Sequence, residues 1–219
     1  RHFKFAAERG VAPAQRRLGQ YLAAGIAVDA DLENGLYWLE LAAEGGDQLA
    51  QYDLARRYNL GNGVEKDQAK ARALYRRAAE AGNAKAQHDL AMFHIKGLQG
   101  AVDLTEGRFW LQRAAAAGIA QSQFQLGRLL LTELRNPLLL FEAFEWIARA
   151  SRQNHAAAHT LITKLSKELP ARIKAKNPHG KIDLDATAYC LLAYAISAWT
   201  EIDRHCAQMA KIGQVVAQY

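Results

Sequence analysis

HAAAH, His155–His159, places two imidazoles four residues apart. On a helix that spacing puts both on one face, where they can hold a zinc ion. The zinc-protease arrangement also requires a glutamate directly after the first histidine, and Ala156 stands there instead. His159 falls in a column otherwise occupied by Gln15, Gln51, Gln87 and Gln123, which assigns it to a repeated polar position rather than to a metal. In EIDRHC, Glu201, His205 and Cys206 lie close together, but no second group of ligand types follows at a recognisable spacing. GNGVEKD (61–67) and GLQGAVD (97–103) are glycine-rich yet lack a phosphate-loop lysine at the required position. The residues form no catalytic constellation. The expectation is a non-enzymatic protein with no catalytic residue, no metal and no cofactor.

The glycines have another explanation. AAERG, AAEGG, AAEAG and AAAAG end at Gly10, Gly46, Gly82 and Gly118, a constant interval of 36 residues, and the next step lands on Asn154. A fixed period in this range is the signature of a repeat architecture. Leu18, Leu54, Leu90, Leu126 and Ile162 share one column; Ala14, Ala50, Ala86, Ser122 and Ala158 lie four positions earlier. Apolar and small residues at i and i+4 mark one buried helical face, which predicts a first helix near 12–24, 48–59, 84–96, 120–132 and 156–168. Gly25, Gly61 and Gly97 stop that helix. Asp31, Asp67 and Asp103 then cap a second helix, whose core columns are Trp38, Leu74, Trp110, Trp146 and Ala42, Ala78, Ala114, Ala150. The alanines admit a close neighbour, the glycine turns the chain, and Asp47 and Asn83 cap the next first helix.

Composition agrees with an all-α chain. Half of the 219 residues are hydrophobic and only four are proline. The net charge is +6, with acids and bases interspersed apart from RIKAKNPHGK, Arg172–Lys181. Nucleic-acid binders concentrate positive charge further, so none is expected as a partner. The longest apolar run, ATAYCLLAYAISAW, is too short for a membrane span. Cys190 and Cys206 do not make a disulfide framework. HFKFAAERG aligns with WLELAAEGG, so the sequence is expected to begin in the middle of a repeat.

These columns closely resemble the Sel-one-like repeat family, a relative of the tetratricopeptide repeat. The best match is AAEGGDQLAQYDLARRYNLGNGVEKDQAKARALYRRAAEAG, Ala42–Gly82, which keeps GNGV, Asp67, Ala71 and Tyr75. The resemblance implies a right-handed α-solenoid of antiparallel helix pairs over 1–169. A loop and a C-terminal helical cap over 170–219 would cover the last apolar face. The fourth window departs from the pattern: LTELRNPLLL replaces GxGV, with Asn136 as N-cap and Pro137 at the first helical position.

What the resemblance implies for function is a bacterial interaction scaffold, with the periplasm slightly favoured over the cytoplasm. A narrower alternative is an inhibitor or immunity protein that buries a toxin's surface, and a metal-dependent enzyme is a distant third. By analogy with tetratricopeptide repeats, first helices line the concave face. The columns two before and two after the leucine then face inward: Arg16, Tyr52, His88, Phe124 and Thr160, and Gln20, Arg56, Met92, Arg128 and Lys164. These ten positions hold no carboxylate, and their aromatic, Met and Arg side chains are types enriched at protein interfaces. The expected partner is a protein of acidic character.

Overall fold

The structure, a computed structural model, describes residues 2–26, 29–132 and 137–164. It is all-α, a repeat solenoid of antiparallel helix pairs. The expected C-terminal cap, both cysteines, Glu201, His205 and the basic segment 172–181 lie outside the described residues. The chain divides into two compact units, Arg1–Ala114 and Ala115–Tyr219.

In the first unit α1 (His2–Glu8) is followed by three helix pairs. These are α2 (Ala12–Ala24) with α3 (Leu32–Glu44), α4 (Gln48–Leu60) with α5 (Gln68–Glu80), and α6 (Ala84–Lys96) with α7 (Leu104–Ala116), whose last two residues fall in the second unit. The second unit contains α8 (Ala120–Leu130), α9 (Pro137–Arg152) and helical residues 156–164.

The helix limits follow from capping chemistry. Asp31, Asp67 and Asp103 accept from the backbone N–H three residues on, and Asp47 and Asn83 each accept from two. Donors at a helix start have no partner within the helix, so each such carboxylate or amide stabilises its start by about 1 kcal/mol. Pro137 opens α9 as expected; Asn136 lies outside the described residues.

The recurring turn is the joint between repeats. Gly10, Gly46, Gly82 and Gly118 have φ between 79° and 94°, and Asn154 adopts 60°. Just before each turn sits an alanine whose carbonyl receives the turn residue's N–H: Ala7, Ala43, Ala79 and Ala115. That same oxygen also receives the side-chain Nε2 of a buried glutamine eight residues on. Gln15, Gln51, Gln87 and Gln123 make this bond at 3.2, 3.0, 3.1 and 3.0 Å.

Two further small-residue columns set how closely the helices of a pair approach. A Cβ on Gly19 of α2 would lie 2.7 Å from the Gly35 oxygen of α3, and one on Gly127 of α8 would lie 2.6 Å from the Ala143 oxygen of α9. Ala55 and Ala71, both fully buried, take these columns in the middle pair. Besides Asn154, one further described position breaks the glycine rule. Gln99 occupies the column of Gly63 and keeps a left-handed φ of 59°, with its carbonyl held by Arg72 at 2.8 Å.

The turn can be tested without a packing clash, because a Cβ on Gly82 would meet nothing within 4 Å. Gly82→Val should therefore cost more than about 1 kcal/mol from backbone conformation alone. Equal thermal stability of the variant and the parent would contradict this reading of the joint.

Candidate partner-binding face

Within the first unit, three first helices carry six of the ten expected positions. On α2, the half-buried Arg16 Nε reaches both Asp47 oxygens, at 3.1 and 3.2 Å, and so locks onto the residue that caps α4. Gln20 Nε2 donates to Asp53 Oδ2 at 2.5 Å. On α4, the exposed Arg56 lies over the Tyr52 ring, 5.9 Å from its centroid. On α6, His88 and Met92 are half-buried.

Asp89, beside His88, was not among the expected residues, yet it organises this part of the face. Tyr52, Tyr75, His88 and Arg56 all lie near enough to act on its carboxylate. Burial is the largest influence on each group. It raises the Asp89 pKa, lowers that of His88, and pushes the Tyr52 hydroxyl up to about 12. Tyr75 is fully buried between Tyr52 and Phe93, with ring centroids 5.9 and 5.6 Å away. The rungs between successive first helices therefore include acids, Asp47, Asp53 and Asp89, that the ten-position reading lacked. Asp53 and Asp89 share one column with Arg17 and Gln125, immediately before the leucine, and that recurrence was the available signal.

In the second unit, Arg128 of α8 is exposed and lies 5.7 Å from the Phe124 centroid, reproducing the Tyr52–Arg56 arrangement. Phe124 itself is only 8% exposed; it packs with Ile147, Ala150 and Ala158 and against the His155 ring at 4.8 Å. It is a floor under the guanidinium rather than a free contact. Thr160 and Lys164 are exposed, and the Thr160 hydroxyl donates to the Ala156 oxygen at 3.0 Å.

The two histidines of HAAAH are occupied by the repeat. His155 stands at the N-cap position, where its Nδ1 accepts from Ala158 N at 3.2 Å while Nε2 meets Gln121 Oε1 at 2.6 Å. His159 takes the glutamine column, and its Nδ1 lies 3.4 Å from Ser151 Oγ, eight residues before it. Among the described residues no group of three His, Cys, Asp or Glu side chains could hold a metal, and no helix is long and apolar enough to cross a membrane.

Asp89 gives a pH test with a defined sign. Its folded pKa lies above the unfolded value of 3.8, so the native state binds the proton more tightly. This group therefore contributes stability as pH falls from its folded pKa to the unfolded one, and opposes folding above that window. Denaturant unfolding of the parent and Asp89→Asn should show the parent gaining on the variant as pH falls from 7 to 4. A difference that stays constant, or moves the other way, would contradict the burial argument.

The chain matches the Sel1 repeat family model over four consecutive windows, 12–47, 48–83, 84–119 and 120–155, which coincide with the joints described above. No curated protein matches it. Among solved structures it resembles a Sel1 repeat protein from Oxalobacter formigenes, at 34% identity and a TM-score of 0.56, covering 57% of this chain and 94% of that one. It also resembles c5321, a protective antigen of uropathogenic Escherichia coli with an SLR fold, at 23% identity and a TM-score of 0.69. That match covers 91% of this chain and 48% of the antigen, so the chain spans about half the antigen's length. An immunity protein from Pseudomonas aeruginosa matches at 18% identity with a TM-score of 0.45, over 90% of this chain and 70% of that one. With four windows in register over more than half its length, the chain belongs to the Sel1 repeat family.

Proposed function

We propose that this chain is a non-enzymatic scaffold that binds a protein partner of acidic character through its first helices. The observation that carries the reading is the repeated pairing of an exposed arginine with an aromatic ring, Arg56 on Tyr52 and Arg128 on Phe124, at equivalent positions of α4 and α8. A guanidinium held on a ring keeps its planar fork available for a carboxylate, while the surrounding apolar surface packs against the partner. Arg16 and Gln20 are bonded to internal carboxylates, whereas Arg56, which feels Asp89 without an ion pair to it, and Arg128 are exposed and are the positions proposed to receive a partner's acids.

The narrower form of the same reading is an inhibitor that covers a toxin's surface. It requires the captured partner to be an enzyme whose activity falls to zero at one equivalent of this chain. A general adaptor leaves its partner's activity intact.

The test is capture of the partner from the source cell, identification by mass spectrometry, and titration of purified components. Truncating a hot-spot arginine commonly costs more than ~2 kcal/mol. The double variant Arg56→Ala with Arg128→Ala should therefore weaken binding by well over tenfold and leave the helical circular-dichroism signal unchanged. Lys66→Ala with Lys70→Ala is the control, since Lys70 is tied to Tyr58 and Glu40. Loss of binding in the control pair alone would move the ligand to another face.

A further inference from the structure

Within the first unit, α2, α3 and α4 line an open cleft of about 200 Å³. Its polar lining is Gln20, Asp53, Arg56, Arg57 and Asn62; its apolar lining is the fully buried Leu39 and Leu60, which is 65% exposed. Two arginines thus line the cleft together with one carboxylate, and that carboxylate is already engaged, with the Gln20 amide 2.5 Å from Asp53 Oδ2. Arg57 is held by Nη1 donating to the Asn62 oxygen at 3.4 Å, in the last turn of α4. That bond uses one of its five N–H donors and leaves the others to a ligand. Leu60 lies one helical turn beyond Arg56 and is the most exposed of the large apolar side chains described.

The leftover positive charge and the exposed leucine specify an occupant between them. A carboxylate complements two guanidiniums more fully than a neutral amide does, because both of its oxygens accept charge-assisted hydrogen bonds. An exposed leucine at the rim gains by covering apolar area, roughly 25 cal/mol for each Å² removed from water. We infer that this cleft is the anchor of the partner interface and takes a short segment in which an Asp or Glu stands next to a bulky apolar residue. The inference rests on the scaffold reading and narrows it. The acid enters between Arg56 and Arg57, and its apolar neighbour lies on Leu60. Arg57, Leu60 and Asn62 thereby become partner-reading residues that the ten first-helix positions do not contain.

The experiment uses the full chain on an array of 12-residue peptides in which Glu–Leu, Gln–Leu, Lys–Leu and Glu–Ser pairs are set in a common Gly-Ser-Ala background. Glu–Leu peptides should bind best. Replacing the Glu by Gln, or the Leu by Ser, should each lower the signal about tenfold, the size of loss expected when one anchor is removed. Arg57→Gln and Leu60→Ser should each abolish the preference. Both replace side chains at the surface of α4, and an unchanged thermal melt verifies that each variant is folded. Equal binding of Glu–Leu and Gln–Leu peptides, no binding to any peptide, or a preference that survives Arg57→Gln would each overturn the cleft assignment. The scaffold reading is judged separately by the captured partner. If Arg56→Ala with Arg128→Ala weakens that complex while Arg57→Gln and Leu60→Ser do not, the scaffold stands and the cleft falls.

Discussion

One carbonyl oxygen at each glycine joint accepts both the turn residue's N–H and a glutamine amide, with the Arg77 guanidinium as a third donor at Ala43, and the rest of the structure depends on that coincidence. At Ala43 it accepts the Gly46 N–H at 3.2 Å and the Gln51 amide at 3.0 Å; at Ala79 it accepts the Gly82 N–H at 3.1 Å and the Gln87 amide at 3.1 Å. The end of a helix leaves carbonyls without partners, and a buried one left unmet costs about 1–3 kcal/mol. The left-handed residue supplies the first donor by turning the chain, and the glutamine supplies the second from the helix that the turn creates. A second helix therefore ends in the right place only if the next first helix starts in register. At the last joint the chemistry is altered but the spacing is kept. Ser151 presents its oxygen to the Asn154 N–H at 2.9 Å, and its hydroxyl meets the His159 ring.

Because the register is held from inside, the helix pairs can approach closely and the exposed surface is free to vary. Gly19 against Gly35 and Gly127 against Ala143 leave no room for a side chain, while Ala42, Ala78, Ala114 and Ala150 are completely buried. The first-helix face then carries side chains that change from repeat to repeat: Arg16 on a cap, Gln20 on Asp53, Tyr52 and Arg56 around Asp89. Such rungs do double duty. Asp47 both starts α4 and binds Arg16, so part of the surface charge is spent on the scaffold and cannot serve a ligand.

The period, the caps and the left-handed turns were legible in the sequence because each follows from one residue type with one backbone preference. Gly82 and Asp67 needed no knowledge of their neighbours in space. The face was harder to read. Asp53 and Asp89 look like solvated polar residues until the adjoining helix brings Gln20 to one and Tyr52 and Tyr75 to the other. Phe124 reads as a groove aromatic, yet His155, thirty-one positions later, packs over it. Gln99 could not be recognised as left-handed, since its column asks for glycine and the contact that holds it comes from Arg72 on another helix. The glutamine column was visible as a repeated polar position, but its bond to a carbonyl eight residues earlier exists only once the turn is formed.

The side-chain amide protons of Gln51 and Gln87 report on that bond directly. Exposed glutamine amides exchange with solvent quickly, whereas a buried amide locked on a carbonyl exchanges only when the repeat junction opens. Nuclear magnetic resonance of the nitrogen-labelled protein in heavy water should find the Nε2 protons of both residues protected as strongly as the slowest backbone amides of α4 and α6. Exchange at the rate of the half-buried Gln20 amide would contradict the account, because the joint would then be held by something other than the glutamine.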